Sequence, residues 1–299
     1  MTALPASRLR HEAEEWSARM PDLRLQALRV AATVSLGSHG RRRPGSGDSF
    51  WQFRSYRQGD SLREIDWRRS GRSDARLYIR EREWETAESF WLWLDQSPSM
   101  AYAGGPKRPE KRDRAAVLML ALSALLLRSG ERVGLLDGAG TRPMGQSPAA
   151  LPRITDRLGR SNQTSSLPPI AGLPRHSTVF LFTDGWHSLE EWERRLGSLS
   201  APGVRGHLIQ VLDPAEERLD LSGRIRLEGP EGEGELLLRR AEDLIEAYTE
   251  RFQAHTRGLA AICARRGWTY RQHLTDASPL PALLALYQAV SLGRRAAHA

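Results

Sequence analysis

The chain contains few of the residues that mark several common classes of protein. Its 299 residues include one cysteine, Cys263, which excludes a disulfide framework within the chain and suits a reducing compartment. Aromatic residues make up 7% of the sequence, and they form no cluster of the kind on which RNA-binding modules stack bases. We expect Cys263 to be a small core residue of a helix rather than a nucleophile.

Lysine is nearly absent, although the formal net charge is +8. It occurs only at Lys107 and Lys111, so almost all positive charge comes from arginines that are scattered along the chain beside carboxylates. A nucleic-acid-binding surface usually concentrates its basic residues on one face or stripe. The charge therefore does not by itself predict binding to nucleic acid.

Long hydrophobic runs are also missing. The longest, residues 115–127, is shorter than the roughly 20 residues that cross a bilayer, and we interpret it as a buried helix. Residues 1–30 alternate charged and apolar groups and lack the apolar region of a signal peptide. We expect a soluble, cytoplasmic protein.

One apolar segment ends in three side chains that carry oxygen. Residues 91–94 predict a buried strand of a parallel sheet, and Asp95, Ser97 and Ser99 follow it at alternate positions. Loops at the carboxyl ends of such strands bind ligands in open α/β folds. These oxygens could supply part of the shell of about six oxygens that Mg²⁺ prefers. In the alternative interpretation, Ser97 and Ser99 only cap the following helix.

A second carboxylate follows a second predicted strand, because residues 178–183 are apolar, β-branched or aromatic and end at Asp184. Thr164 lies in a polar loop between the two strands; Thr141, Thr155 and Ser165 lie in the same broad stretch. Five positions together resemble the metal-ion-dependent adhesion site of the von Willebrand factor type A domain: Asp95, Ser97, Ser99, Thr164 and Asp184. The resemblance implies a bound Mg²⁺, or Mn²⁺ or Ca²⁺, whose shell is completed by a carboxylate of a partner.

A longer motif at residues 53–72 resembles the Tyr-Arg-x-Gly-Asp-x-x-Arg-x-Ile-Asp-Trp box of the family called "domain of unknown function 58". The box positions are Arg54, Tyr56, Arg57, Gly59, Asp60, Arg63, Asp66, Trp67 and Arg72. The resemblance extends from about Gly37 to about Val290 and implies a von Willebrand A-like domain directly after the box. It also implies a bacterial protein that partners a MoxR-type AAA+ ATPase or that ATPase's client.

The chemistry of the box allows two interpretations. Its arginines alternate with Asp60, Glu64 and Asp66, so bidentate ion pairs can form within the segment. The box would then be structural, with Tyr56, Ile65 and Trp67 as its apolar anchors. In the alternative, some of the arginines face outward and bind an acidic protein surface or phosphate.

After the box, strands and helices alternate, which predicts a doubly wound, mainly parallel α/β sheet. We expect a helical N-terminal segment at residues 1–36, a small β-rich module at 37–88 with a mobile loop at 37–48, and a von Willebrand A-like domain at 89–292 with a hairpin insertion near 222–240. The predicted strands are 75–82, 84–95, 132–136, 178–183, 206–212 and 269–274, and the predicted helices are 112–128, 148–158, 189–199, 241–266 and 280–290.

Motifs of the common enzyme classes are missing. Ser97 stands where aspartyl phosphotransferases carry a second aspartate, and there is neither a phosphate-binding Gly-Lys-Ser/Thr loop nor a zinc-type histidine pair. His187, three residues after Asp184, is expected to be a surface residue rather than a ligand. We do not expect an enzyme.

The leading hypothesis is a Mg²⁺-dependent protein-interaction module that acts as an adaptor of a MoxR-type ATPase. The alternative is a structural assembly subunit with a vestigial metal site that binds through its arginine box, and a third hypothesis is a metal-dependent hydrolase.

Overall fold

The computed structural model describes residues 19, 21–22, 24–34, 50–56, 65, 67–71, 77–82, 88–138, 140–160, 165–200, 203–219, 223–228, 235–238, 240 and 242–297. The chain divides into two compact units. The larger contains Met1–Gly37 and Glu88–Ala299, and the smaller is Ser38–Ala87.

Near the N-terminus, residues 24–34 form a helix, α1, that belongs to the larger unit. Ala27, Ala31 and Val34 are buried in the core of that unit. Their spacing of four and three residues places them on one face of the helix. This helix lies within residues 1–36, which the sequence predicts to be a helical segment.

The smaller unit contains two antiparallel strands, β1 (Phe50–Ser55) and β2 (Tyr78–Arg82), with the short helix α2 (Trp67–Ser70) between them in sequence. Ser55 pairs with Tyr78 at one end of the two strands. The Ser70 hydroxyl accepts a hydrogen bond of 2.9 Å from the backbone N–H of Tyr78 and so connects α2 to the start of β2. Residues 37–48, where the sequence predicts a mobile loop, lie outside the described part of the chain.

The larger unit is built on a six-stranded sheet with helices on both faces. In chain order its elements are β3 (Ser89–Leu94), α3 (Lys111–Arg128), β4 (Arg132–Asp137), β5 (Gly140–Gly145), α4 (Leu151–Gly159), β6 (Thr178–Thr183), α5 (Leu189–Leu199), β7 (Arg205–Leu212), α6 (Pro214–Glu217), β8 (Ile225–Glu228), β9 (Glu235–Leu238), α7 (Glu242–Arg265), β10 (Thr269–Leu274) and α8 (Pro279–Ala297). Short 3-10 helices cover Pro98–Ala101 and Pro148–Ala150. Strands β8 and β9 form a separate antiparallel pair where the sequence predicts a hairpin.

The strand order in the sheet is β10-β7-β6-β3-β4-β5. All neighbours are parallel except β4 and β5. The prediction of a mainly parallel α/β sheet is therefore confirmed. The chain passes from β3 to β4 on one side and later returns to β6 on the other side of β3, so the order reverses between β3 and β6. In open α/β sheets, ligands bind at such a switch point.

Alternate residues of the central strand pack into two separate cores. Phe90 and Leu92 of β3 face the core that contains α1, α3 and α8, whereas Trp91 and Trp93 face the core that contains α5 and α7. Helix α3 is buried on all its sides from Ala115 to Leu127. The predicted buried helix is therefore confirmed, and none of the helices described here is both long and apolar enough to cross a bilayer.

Most predicted elements lie within a few residues of the observed ones, and the boundaries of β6, α5 and β10 match the prediction. The antiparallel strand β5 was not predicted. Its sequence, Gly-Thr-Arg-Pro-Met-Gly, is not apolar, and it pairs only with β4 at the edge of the sheet. Cys263 is fully buried in α7, as predicted.

Candidate metal centre

Strands β3 and β6 end side by side at the switch point of the sheet. Leu94 pairs with Phe182, and the backbone N–H of Asp95 donates to the Phe182 carbonyl at 2.9 Å. Asp95 and Asp184, which follow the two strands, are therefore neighbours. Both are almost completely shielded from solvent, at 0% and 2% exposure.

The Asp95 carboxylate is held by three hydrogen bonds. Its Oδ1 accepts from the backbone N–H and from the hydroxyl of Ser97, at 3.0 Å and 2.6 Å, and its Oδ2 accepts from the Thr183 hydroxyl at 2.7 Å. Burial, followed by the negative charge of Asp184, raises the pKa of Asp95 to about 7 in spite of these bonds. A cation next to Asp95 would favour its charged form.

Two serine hydroxyls connect the carboxylates. Ser97 Oγ lies 3.1 Å from Ser99 Oγ, and Ser99 donates to Asp184 Oδ2 at 2.7 Å. Ser97 precedes the 3-10 helix Pro98–Ala101, but its side chain makes no capping hydrogen bond. The interpretation of Ser97 as only a helix cap is therefore wrong.

A buried lysine, which sequence reasoning missed, also reaches this cluster. Lys111 is the first residue of α3, and its side chain is 1% exposed. Its Nζ donates to Asp184 Oδ2 at 2.9 Å and to Glu216 Oε1 at 2.6 Å. Burial alone would lower the pKa of Lys111, but the negative charges of Asp184 and Glu216 outweigh it and hold the pKa above its ordinary value. Lys111 is therefore a charged ammonium inside the protein.

Glu216 comes from a third strand end. It lies in α6, directly after β7, where a capping box fixes it: Asp213 accepts from Ala215 N at 2.9 Å, and Glu216 Oε2 accepts from Asp213 N at 2.8 Å. Burial raises the pKa of Glu216 above its ordinary value, although Lys111 opposes this shift. Adjacent strands β3, β6 and β7 thus each contribute a carboxylate near their carboxyl ends.

Aromatic side chains border the cluster. Trp186 is 36% exposed, and its indole N–H donates to Glu216 Oε1 at 3.3 Å. The Trp186 ring stacks on His255 with their centroids 5.2 Å apart. Tyr102, which is 42% exposed, lies with its ring centroid 5.9 Å from Lys111 Nζ. Exposed tryptophan and tyrosine next to a buried polar cluster are typical anchors for a protein partner.

The donor set fits a divalent cation of the magnesium type. The oxygen–oxygen contacts from Asp95 through Ser97 and Ser99 to Asp184 measure 2.6, 3.1 and 2.7 Å, close to the roughly 3 Å between adjacent ligands of an octahedral Mg²⁺. The site contains three carboxylates, those of Asp95, Asp184 and Glu216, and one ammonium, Lys111, which contacts the last two. Two negative charges therefore remain when all three carboxylates are ionised. Within the described ranges, no cluster of three or more His, Cys, Asp or Glu is arranged to hold a metal, so an ion here would depend on the hydroxyls.

The structure brings together Asp95, Ser97, Ser99 and Asp184 of the predicted metal ligands. Thr164 lies outside the described residues. His187 contacts the Ser166 hydroxyl and Glu191 at the start of α5 and makes no described contact with the two aspartates. Sequence reasoning also missed the role of Glu216, although the segment Asp213–Glu216 follows the apolar strand β7 much as the other two carboxylates follow theirs.

The arginine box is described only in part. Ile65 is buried, at 6% exposure, and Tyr56 is half-buried, but Trp67 is 64% exposed. The prediction that Trp67 is an apolar anchor is therefore wrong for this structure. Arg54 lies in β1, and the other predicted box residues lie outside the described part of the chain: Arg57, Gly59, Asp60, Arg63, Glu64, Asp66 and Arg72.

Fold and site together define an α/β protein with a cluster of carboxylates and hydroxyls at the switch point of a mainly parallel sheet. The model of the family described as "Protein of unknown function DUF58" matches residues 52–258, which is more than half of the chain. The chain therefore belongs to the DUF58 family, as the resemblance of the arginine box predicts.

Several relatives and solved structures are similar to the chain. Uncharacterized proteins of Mycobacterium tuberculosis and Mycobacterium bovis are each 32% identical over 176 residues, which cover 57% of this chain and 51% of theirs. The chain thus spans about half the length of the curated relatives it matches.

Among solved structures, the conserved hypothetical protein BatB from Bacteroides thetaiotaomicron is 15% identical and covers 70% of this chain and 100% of its own, with a TM-score of 0.39. An aerotolerance-related membrane protein from Bacteroides fragilis is 19% identical and covers 68% and 98%, with a TM-score of 0.34. With TM-scores this low, neither structure supports a conclusion about this chain.

Proposed function

We propose that this protein is a von Willebrand A-like interaction module that binds Mg²⁺ at its strand ends and, through that ion, a carboxylate of a partner protein. The observation that carries the proposal is the continuous row of oxygens from Asp95 through Ser97 and Ser99 to Asp184. The row lies at a switch point of the sheet, where α/β proteins bind ligands. Exposed aromatic rings border it, as expected of a protein-binding surface.

In this proposal the hydroxyls of Ser97 and Ser99, with Thr164, contact the ion. Asp95 and Asp184 hold it directly or through water and supply most of its charge compensation. The ion would provide a fixed positive charge with a free position for an incoming carboxylate. Mn²⁺ or Ca²⁺, which accept the same oxygen ligands, are alternatives to Mg²⁺.

The proposed role is that of a non-enzymatic adaptor, located in the cytoplasm, for a MoxR-type AAA+ ATPase or that ATPase's client. This part rests on the resemblance of the arginine box to its family. A neighbouring reading frame for such an ATPase would support it. An isolated gene would weaken it.

Metal titration tests the site directly. We expect calorimetry with Mg²⁺ and Mn²⁺ to show binding to the unmodified chain at millimolar concentration or below in the presence of its partner, and Ser99→Ala to abolish it. Ser123→Ala is the matched control, because that buried serine donates to the Met119 carbonyl within α3 and lies outside the cluster. If no divalent ion binds even with the partner present, the metal proposal fails.

A second candidate is a structural assembly subunit that binds through the arginine box and whose metal site is vestigial. The observation in its favour is Lys111, which already provides a cation at Asp184. A pull-down from the native host separates the two functions. Binding that is lost with chelator supports the metal bridge, whereas binding that survives chelation and Ser97→Ala but falls with salt supports the arginines, because exposed charge pairs are screened over about 8–10 Å at physiological ionic strength.

A further inference from the structure

Lys111 places a positive charge close to where the metal would bind. Asp184 Oδ2 accepts from Ser99 Oγ at 2.7 Å and from Lys111 Nζ at 2.9 Å. The ammonium therefore lies within about 6 Å of the Ser99 hydroxyl, a distance at which charges inside a protein interact strongly. A divalent ion held by Ser99 would meet this like charge at short range. It would also compete with the ammonium for Asp184.

The ammonium has a second acceptor that does not belong to the oxygen row. Glu216 Oε1 accepts from Lys111 Nζ at 2.6 Å, and the other oxygen of Glu216 is fixed by the capping box of α6. Glu216 is therefore positioned independently of Asp184. Lys111 can give up its contact with Asp184 and keep a charged partner.

We propose that Lys111 is a tethered counter-cation that sets the affinity of this site for divalent ions. It neutralises Asp184 when no ion is bound, and it yields that carboxylate to the ion when one binds. The inference rests on the proposed function, because it assumes that the same oxygens hold the metal. Its consequence is weak binding of the ion alone, so that stable occupancy depends on the additional carboxylate of a partner.

Calorimetric titration of the full chain with Mn²⁺ and Mg²⁺ tests the inference. We expect Lys111→Met to bind the ion at least about tenfold more tightly than the unmodified protein, because the repulsion and the competition for Asp184 are both removed. Lys111→Arg keeps the charge and should bind as weakly as the unmodified protein. The matched control is Lys107→Met, which removes the only other lysine, an exposed one, and should leave the affinity unchanged.

Thermal melting gives a second measurement on the same variants. In chelator, Lys111→Met should melt at a lower temperature than the unmodified protein, because Asp184 and Glu216 lose their buried counter-charge. Mn²⁺ should restore much of the lost melting temperature in this variant and have a smaller effect on Lys107→Met. If Mn²⁺ leaves the melting temperature of Lys111→Met unchanged, the inference is contradicted.

The outcomes separate the inference from the proposed function. If the unmodified chain binds the ion and Lys111→Met binds it no more tightly, the inference is overturned and the metal site stands. If only Lys111→Met binds, the inference is supported, and the metal bridge of the natural protein is then decided by the titration in the presence of the partner. If neither binds at millimolar concentration, the inference is overturned, whereas the proposed function fails only if no ion binds with the partner present. Should Lys111→Met not fold, Glu216→Gln replaces it. That variant keeps the ammonium, leaves Asp184 as its only charged acceptor and should weaken ion binding several-fold, and unchanged or tighter binding would overturn the inference.

Discussion

The Arg108 guanidinium donates to Asp213 Oδ1 at 2.7 Å and connects the loop before α3 to the end of β7. Asp213 is fully buried and also accepts from the backbone N–H groups of Gly104 and Ala215 and from the Thr275 hydroxyl, at 3.0, 2.9 and 3.1 Å. One carboxylate thus holds three segments that are distant in sequence. The segments that lead into Lys111 at the start of α3 and into Glu216 in α6 are fixed to each other at this point.

We expect Asp213→Ala to lower the free energy of unfolding by about 2–4 kcal/mol, because it leaves several buried donors without an acceptor and removes the cap of α6. Arg108→Ala should lower the free energy of unfolding by clearly less than this, because the Arg108 side chain is 36% exposed and water can replace it. Urea denaturation of the two variants checks the order. Equal losses would show that the ion pair, rather than the set of buried donors, dominates.

Two buried histidines predict a loss of stability in mild acid. Burial, together with neighbouring arginines, lowers the pKa of His207 and of His273 from 6.5 to about 4. Between these values the unfolded chain binds protons that the folded chain does not, so the free energy of unfolding falls as the pH drops from about 6.5 to about 4. Each histidine can contribute about 3 kcal/mol to this loss.

The contribution of His207 can be isolated by His207→Phe. A phenylalanine keeps the stacking on Phe180, where the ring centroids are 4.5 Å apart, but does not titrate. We expect urea denaturation at pH 7, 5.5 and 4.5 to show a smaller decline for the variant than for the unmodified protein. Carboxylates titrate in both proteins, so the difference between the two curves reports His207. Parallel curves would contradict the prediction.

Gly206 in β7 is required by its neighbour across the strand pair. A Cβ at this position would overlap the indole ring of Trp268, which is buried at 4% exposure. We expect Gly206→Ala to destabilise the fold by about 1–3 kcal/mol, because the buried ring would have to shift to accommodate the added Cβ. Gly172→Ala is the control: an added Cβ there meets nothing, and the change should stay within about 0.5 kcal/mol. Melting curves of both variants test this, and similar losses would be inconsistent with it.

Cys263 should be unreactive in the folded protein. It is fully buried in α7, and burial raises the pKa of its thiol to about 12, so the reactive thiolate is scarce. A thiol reagent at pH 8 is expected to label the native chain no faster than the chain unfolds and to label it rapidly in denaturant. Fast, complete labelling without denaturant would show that α7 opens locally.

The strand ends of the site could be predicted because their signals are local. The apolar runs before Asp95 and Asp184 are long enough to indicate buried strands. Carboxyl ends of parallel strands meet at one edge of a sheet. The sequence alone therefore predicts that these two carboxylates lie at the same edge of the sheet. The order of the strands, which makes them direct neighbours, depends on the whole fold.

Lys111 could not be predicted in the same way. It lies in the run Pro-Glu-Lys-Arg-Asp-Arg, which has the composition of an exposed helix start. What buries it is its position beside Asp184 and Glu216, which are 73 and 105 residues further along the chain. Strand β5 was not predicted for a related reason. The sequence of Gly140–Gly145 has no strand pattern, and it forms a strand only through its pairing with β4.

The burial of α3 has a consequence for the synthesis of the chain. Its apolar segment from Ala115 to Leu127 is covered on one side by α8, which the ribosome makes last among the described elements. At roughly 5–20 residues per second, the segment remains without this cover for on the order of ten seconds. During that interval the apolar side chains that α8 later covers are exposed and can associate with other chains. We therefore expect chaperone supply and a low growth temperature to raise the yield of native protein.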